Sequence, residues 1–98
     1  MSEMTAEQLE EKMNAGETLH IVDVRELDEV ANGMVPGAIN IPLSEFADRY
    51  TELEKEKEYI LICAAGGRSA KAQMFLEAQG YHCINMVDGM NGWTGEVK

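Results

Sequence analysis

A chain of 98 residues with 45% hydrophobic content is long enough to bury one core and too short for two, so one domain over residues 1–98 is expected. Its 18 acidic and 8 basic residues give a formal charge of −10, a field that repels nucleic acid and anionic membrane surfaces and excludes both as expected partners. No stretch reaches the apolar length of a membrane span, and residues 1–5 lack the basic and apolar regions of a secretion signal, which places the chain by expectation in the cytoplasm with reduced thiols.

In chain order, Thr5-Ala6-Glu7-Gln8 is a capping box, and Leu9 and Met13 fall one turn apart before Asn14-Ala15-Gly16 ends a short amphipathic helix. Residues 19–24, Leu-His-Ile-Val-Asp-Val, read as a buried strand. Residues 26–32 read as a second short helix stopped by Gly33. Pro36-Gly37 is a turn, residues 38–41 form a brief strand closed by Pro42, and Ser44 is placed to cap a helix carrying Phe46, Tyr50 and Leu53. The charged run over residues 52–58 is a solvated helix end and loop.

A third strong strand covers residues 59–62 and delivers Cys63 at its end. Residues 69–79 follow as a helix with Ala72, Phe75, Leu76 and Gln79 near one face and Gly80 as its stop. Residues 83–87 are the next strand, and residues 88–93 a turn-rich tail. Alternating strands and helices predict an α/β fold with a mostly parallel central sheet of about five strands and helices on both faces. Ligands in such sheets bind at the carboxyl ends of the strands, where Asp23 and Cys63 are placed. If Cys63 closes one strand and Cys83 opens its neighbour, roughly four residues of rise, about 13 Å, separate them. That exceeds the limit of about 7 Å between Cα atoms of a disulfide. Cys83 then reads most simply as a small core residue, with a resolving thiol as the lesser alternative.

The segment Cys63-Ala64-Ala65-Gly66-Gly67-Arg68-Ser69 carries the chemistry. A thiolate beside a helix N-terminus and an arginine is favoured by dipole and charge. Gly66 and Gly67 permit positive φ and close backbone approach, so successive N–H groups can form an anion nest, and Arg68 is placed to close it. Ser69 begins the following helix. A thiolate so held is suited to attack a sulfane sulfur and keep it as a persulfide for an acceptor to remove.

At these residues the sequence resembles the single-domain rhodaneses. The resemblance covers nearly the whole chain: Asp23-Val24-Arg25-Glu26, then residues 33–43 with Pro36-Gly37-Ala38 at their centre, then the loop from Cys63 to Ser69, then Asp88-Gly89 with Trp93 near the end. It implies a rhodanese-like fold, a persulfide on Cys63, and sulfur bound by Ala64, Ala65, Gly66, Gly67, Arg68 and Ser69. It also implies a donor such as thiosulfate or a protein persulfide, and cyanide or a thiol as acceptor. Two positions depart from the usual pattern, Gly33-Met34-Val35 in place of Gly-His-Ile and Asp88-Gly89 in place of paired glycines. Neither is the proposed nucleophile.

Two other readings compete. Phosphatases and arsenate reductases of the cell-cycle phosphatase type place five residues between cysteine and arginine to wrap a tetrahedral oxyanion, whereas four separate Cys63 from Arg68. Non-catalytic rhodanese-like modules commonly lack the cysteine, which is present here. Asp23 and Arg25 are expected either to orient the loop or to form a structural ion pair, and Asp23 or Asp88 is the nearest candidate for a general acid. Met34, Met90 and Trp93 are candidates for a docking rim, with Met86 assigned to the core. His20 and His82 open strands away from Cys63. No Cys, His and carboxylate grouping has metal-ligand spacing, so neither metal nor cofactor is expected. The uncharged Ala64-Ala65 mouth keeps a persulfide-carrying protein among the candidate donors.

Overall fold

In the computed structural model, which describes residues 2–98, five strands form one sheet in the order β1-β5-β4-β2-β3, and every neighbouring pair runs parallel. The strands are β1 (Ser2–Met4), β2 (His20–Asp23), β3 (Ile39–Asn40), β4 (Glu58–Ile62) and β5 (His82–Met86). Parallel strands need crossovers, and α1 (Ala6–Asn14), α2 (Leu27–Val30), α3 (Phe46–Arg49) and α4 (Gly67–Ala78) lie on those connections. Among the described residues no helix is long and apolar enough to cross a membrane.

The period-2 alternation of the strands splits the core into two apolar layers. Val22, Tyr59, Leu61 and Cys83 pack with Phe46 of α3 and with Ala72 and Leu76 of α4. Ile21, Ile60, Ile62 and Met86 face the other way, onto Met4 and onto Ala6 and Leu9 of α1. Helices therefore cover both faces, and central strands buried on both sides read as continuous apolar runs.

Several elements differ from their sequence expectation for identifiable reasons. β1 is not announced by any pattern, because two of its three residues are exposed and only Met4 is buried. It forms because Ser2, Glu3 and Met4 complete the ladder of β5 opposite Ile84, Asn85 and Met86. The Thr5 capping box forms as expected, Thr5 Oγ1 accepting from the Gln8 N–H at 3.1 Å and Gln8 Oε1 from the Thr5 N–H at 2.9 Å. The helix expected over residues 26–32 is the single turn α2, none of whose residues is buried. The helix expected from Ser44 onward is broken into 3-10 turns on either side of α3, Leu43–Glu45 and Tyr50–Glu52. Ser44 is not its cap; its Oγ donates to Glu26 Oε1 at 2.6 Å. At the break the Leu53 carbonyl accepts from the Tyr81 hydroxyl at 3.0 Å, and the Tyr50 carbonyl, which accepts the Leu53 N–H at 3.0 Å, lies 3.3 Å from the same hydroxyl.

The adjustment at α4 matters most for function. The helix starts at Gly67, two residues before Ser69, with Gly66 as its N-cap at φ 91°. Ser69 is therefore inside the first turn, fully buried, and faces the sheet.

Candidate active site

β4 ends at Ile62, next to Asp23 of β2, and presents Cys63 at the carboxyl edge of the sheet. The chain then turns through Ala64, Ala65 and Gly66 into α4. The turn is clamped from the β5 side: the Met90 N–H donates to the Cys63 carbonyl at 2.8 Å, and the Asn91 N–H to the Ala64 carbonyl at 2.9 Å. That approach is close enough to require glycine twice. A Cβ on Gly66 would overlap the Val87 carbonyl, one on Gly89 would overlap the Ala64 carbonyl, and both residues have positive φ.

This turn curls backbone donors toward the thiol. The Gly66 N–H donates to Cys63 Sγ at 3.0 Å, and Ser69 Oγ lies 3.2 Å from the same sulfur. Burial pushes the Cys63 thiol up; the Ser69 hydroxyl, wherever its proton turns to the sulfur, and the backbone N–H groups of Ser69, Ala65 and Gly66 act against it, and the balance lies below the ordinary cysteine value. Cys83 provides the internal contrast. Burial, reinforced by the negative charges of Glu77 and Glu58, pushes it up to about 12. Both cysteines are free, and the register pairs Cys83 with Tyr59, four residues short of Cys63. The two environments shift the thiols in opposite directions, Cys63 toward ionisation and Cys83 away from it.

Arg68 lies on α4 beside this nest, but its guanidinium is not turned onto the sulfur. Its Nη1 and Nη2 donate to Glu29 Oε1 and Oε2 at 2.6 and 2.8 Å. The forked pair holds the Glu29 carboxyl down to about 2. Arg68 and Cys63 still feel each other through space, and Arg68 stays charged. Ala64 is half-buried, while Ala65 and Gly67 are exposed at the loop tip.

Asp23 and Arg25 form a buried ion pair. Asp23 Oδ2 accepts from Arg25 Nη2 at 2.9 Å, Oδ1 accepts from the Arg25 backbone N–H at 3.0 Å, and Nη2 also donates to the Gly33 carbonyl at 2.9 Å. No hydrogen bond from either side chain reaches residues 63–69. The pair ties the end of β2 to the segment after α2. Asp88 caps α1 instead, its Oδ1 accepting from the Ala6 N–H at 2.8 Å. Met86 is fully buried, and Met90 and Trp93 pack against the same apolar layer. His20 and His82 stand at the amino ends of β2 and β5. Among the described residues no group of three or more His, Cys, Asp and Glu side chains is arranged to hold a metal ion.

Two residues of the site were not singled out from the sequence. Glu29, the partner of Arg68, is one acid among 18, and nothing in its neighbourhood distinguishes it. Asn85 had a signal: it is a polar residue inside the apolar strand Cys83-Ile84-Asn85-Met86, and a buried amide must find partners. Asn85 is 4% exposed, accepts from Ser69 Oγ at 2.5 Å, and donates through Nδ2 to the Gly66 carbonyl at 3.2 Å.

Residues 5–96 match the family model described as the rhodanese-like domain. A Bacillus subtilis protein with a provisional sulfurtransferase name is 40% identical over 98 residues, covering 100% of this chain and 95% of its own. The thiosulfate:glutathione sulfurtransferase of Saccharomyces cerevisiae is 33% identical over 88 residues, 76% of this chain and 63% of its own. The crystal structure of a rhodanese-like domain protein from Staphylococcus aureus superposes with a TM-score of 0.94 at 35% identity, covering 100% of this chain and 97% of that one.

Proposed function

Because the chain belongs to the rhodanese-like family, we propose that it is a sulfurtransferase of the thiosulfate sulfurtransferase type, with Cys63 as the nucleophile. The observation that carries the reading is the Cys63 thiol held below its ordinary pKa at the mouth of α4, with the Gly66 N–H 3.0 Å from its sulfur. In the first half-reaction the Cys63 thiolate attacks the sulfane sulfur of thiosulfate. A new S–S bond forms, the donor's S–S bond breaks, and sulfite leaves with the electron pair. In the second, cyanide or a thiolate attacks the terminal sulfur, taking it as thiocyanate or as a new persulfide, and Cys63 departs as the thiolate. Backbone N–H groups of residues 64–68 serve as the cradle for the charged terminal sulfur, and the N-terminus of α4 adds its dipole.

The same site is a poor phosphate site. The loop is one residue shorter than a tetrahedral oxyanion needs, and Arg68, which would clamp it, has both terminal nitrogens committed to Glu29. A protein persulfide remains an alternative donor, favoured by the uncharged Ala64-Ala65 mouth and by the charge of −10, which repels small anions at a distance. Steady-state assay of thiocyanate from thiosulfate and cyanide tests the reading: turnover that disappears in Cys63→Ser supports it, and turnover that persists in that variant contradicts it.

A further inference from the structure

Ser69 has one hydroxyl proton and two neighbours that want it. Cys63 Sγ lies 3.2 Å from its oxygen on one side, and Asn85 Oδ1 lies 2.5 Å away on the other. The orientation of the amide settles which neighbour receives it. Asn85 Nδ2 faces the Gly66 carbonyl at 3.2 Å, and a carbonyl only accepts, so the NH2 group must point there and Oδ1 must point to Ser69. Oδ1 in turn only accepts, so Ser69 is the donor, and its lone pairs face the sulfur. That arrangement suits a thiol, which donates its own S–H to Ser69 Oγ. It does not suit a thiolate, which needs the serine proton for itself.

We propose that Asn85 is a positioning residue for Cys63: by holding the Ser69 proton, it withholds one hydrogen bond from the thiolate. The chain of donors runs Cys63 S–H to Ser69 O–H to Asn85 Oδ1, and it is closed by Asn85 Nδ2 on the Gly66 carbonyl, the same residue whose N–H donates to Sγ. When Cys63 loses its proton, either a lone pair of Ser69 faces the anion, or the hydroxyl turns to the sulfur and leaves Oδ1 buried without a donor. Both outcomes cost free energy. A thiolate with one donor fewer is also the stronger nucleophile. Once Sγ is bonded to a second sulfur it is no longer the charged atom, and Ser69 can give its proton wholly to Asn85. This last consequence, a bias from thiolate toward persulfide, rests on the proposed sulfurtransferase reading; the ordering of the protons does not.

The charged groups on the surrounding elements are Arg68 of α4, Glu29 of α2, the Asp23–Arg25 pair at the end of β2, and Asp88 after β5. The Glu29 carboxyl is held down to about 2 and Arg68 is held above its usual value, so both stay charged across the pH range of thiol alkylation.

Alkylation of Cys63 by iodoacetamide as a function of pH, followed by site-resolved mass spectrometry, tests the proposal without requiring sulfur transfer. Asn85→Leu, close in shape and without an acceptor, frees the Ser69 proton for the sulfur. The midpoint should fall by about one pH unit, roughly a tenfold gain in thiolate below the midpoint, the size expected of one hydrogen bond to a charged group. Asn85→Ala provides the same test with less steric risk to the fold. In a Ser69→Ala background neither Asn85 substitution should move the midpoint, since there is no proton left to redirect. A midpoint that rises or stays in Asn85→Leu and Asn85→Ala, or that shifts equally with Ser69→Ala present, overturns the proposal. Thiocyanate turnover measured on the same proteins reports separately on the sulfurtransferase reading, because absent turnover with the predicted midpoints leaves the proton ordering standing.

Discussion

Glu29 holds Arg68 by both terminal guanidinium nitrogens, at 2.6 and 2.8 Å, and so joins the single turn α2 to the first turn of α4 across the mouth of the site. The arginine that the motif places beside Cys63 is thereby partly neutralised. Glu29→Gln should unmask its charge and lower the pH midpoint of Cys63 alkylation by a few tenths of a unit. Both side chains are about one-third exposed, so solvent screens the pair, and the stability change near neutral pH should be within about 1 kcal/mol. The pH dependence has a definite sign. Glu29 falls from 4.5 to about 2 on folding, so its contribution is present above pH 4.5 and lost as the pH drops through 2. Denaturant melts of the wild type and Glu29→Gln should converge on acidification over that window.

Gly66 is required by position as well as by flexibility. Its φ of 91° and the Val87 carbonyl beside it leave no room for a Cβ. Gly66→Ala should cost about 2 kcal/mol or more in urea unfolding and move Cys63 alkylation toward the pH of an ordinary cysteine, since the N–H that reaches Sγ belongs to this residue. Gly67→Ala, where nothing lies within 4 Å of the added carbon, is the control and should be mild.

The Asp23–Arg25 pair separates stability from chemistry. Asp23 is fully buried and Arg25 is 8% exposed, so removing one partner strands a charge. Arg25→Leu should cost about 3–5 kcal/mol in equilibrium unfolding. The alkylation midpoint of the protein that remains folded should stay near the wild-type value, because neither side chain bonds to residues 63–69.

Cys83 should be silent in the folded protein. Iodoacetamide at pH 8 should label Cys63 alone until denaturant is added. With Cys83 raised from 9 to about 12 on folding, the unfolded chain loses that proton first, so stability declines as the pH rises from 9 toward 12. Cys83→Ala should flatten this alkaline decline in thermal melts.

Much of this was legible in the sequence because it rests on local signals. The alternation of apolar runs with helical segments located four of the five strands and the parallel sheet, and the spacing from Cys63 to Arg68 located the loop. What was not legible depends on partners far away in the chain. Ser2–Met4 becomes a strand only because β5 offers it a ladder, and Glu29 matters only because α2 is carried opposite Arg68, 39 residues later. α4 starts two residues before the Ser69 that the sequence pattern predicts, since two glycines argue against helix in isolation. Val87 and Gly89 pressing on the loop are what set the cap at Gly66. With that shift Ser69 turns inward, and the Asn85 amide becomes part of the site instead of a polar interruption in a strand.

Intact-mass analysis after incubation with thiosulfate tests the central claim most directly. The expected result is a gain of one sulfur atom by the wild type, removed on adding a thiol and absent in Cys63→Ser. An adduct that survives in Cys63→Ser would contradict the account, as would the absence of any adduct with thiosulfate and with a low-molecular-weight persulfide alike.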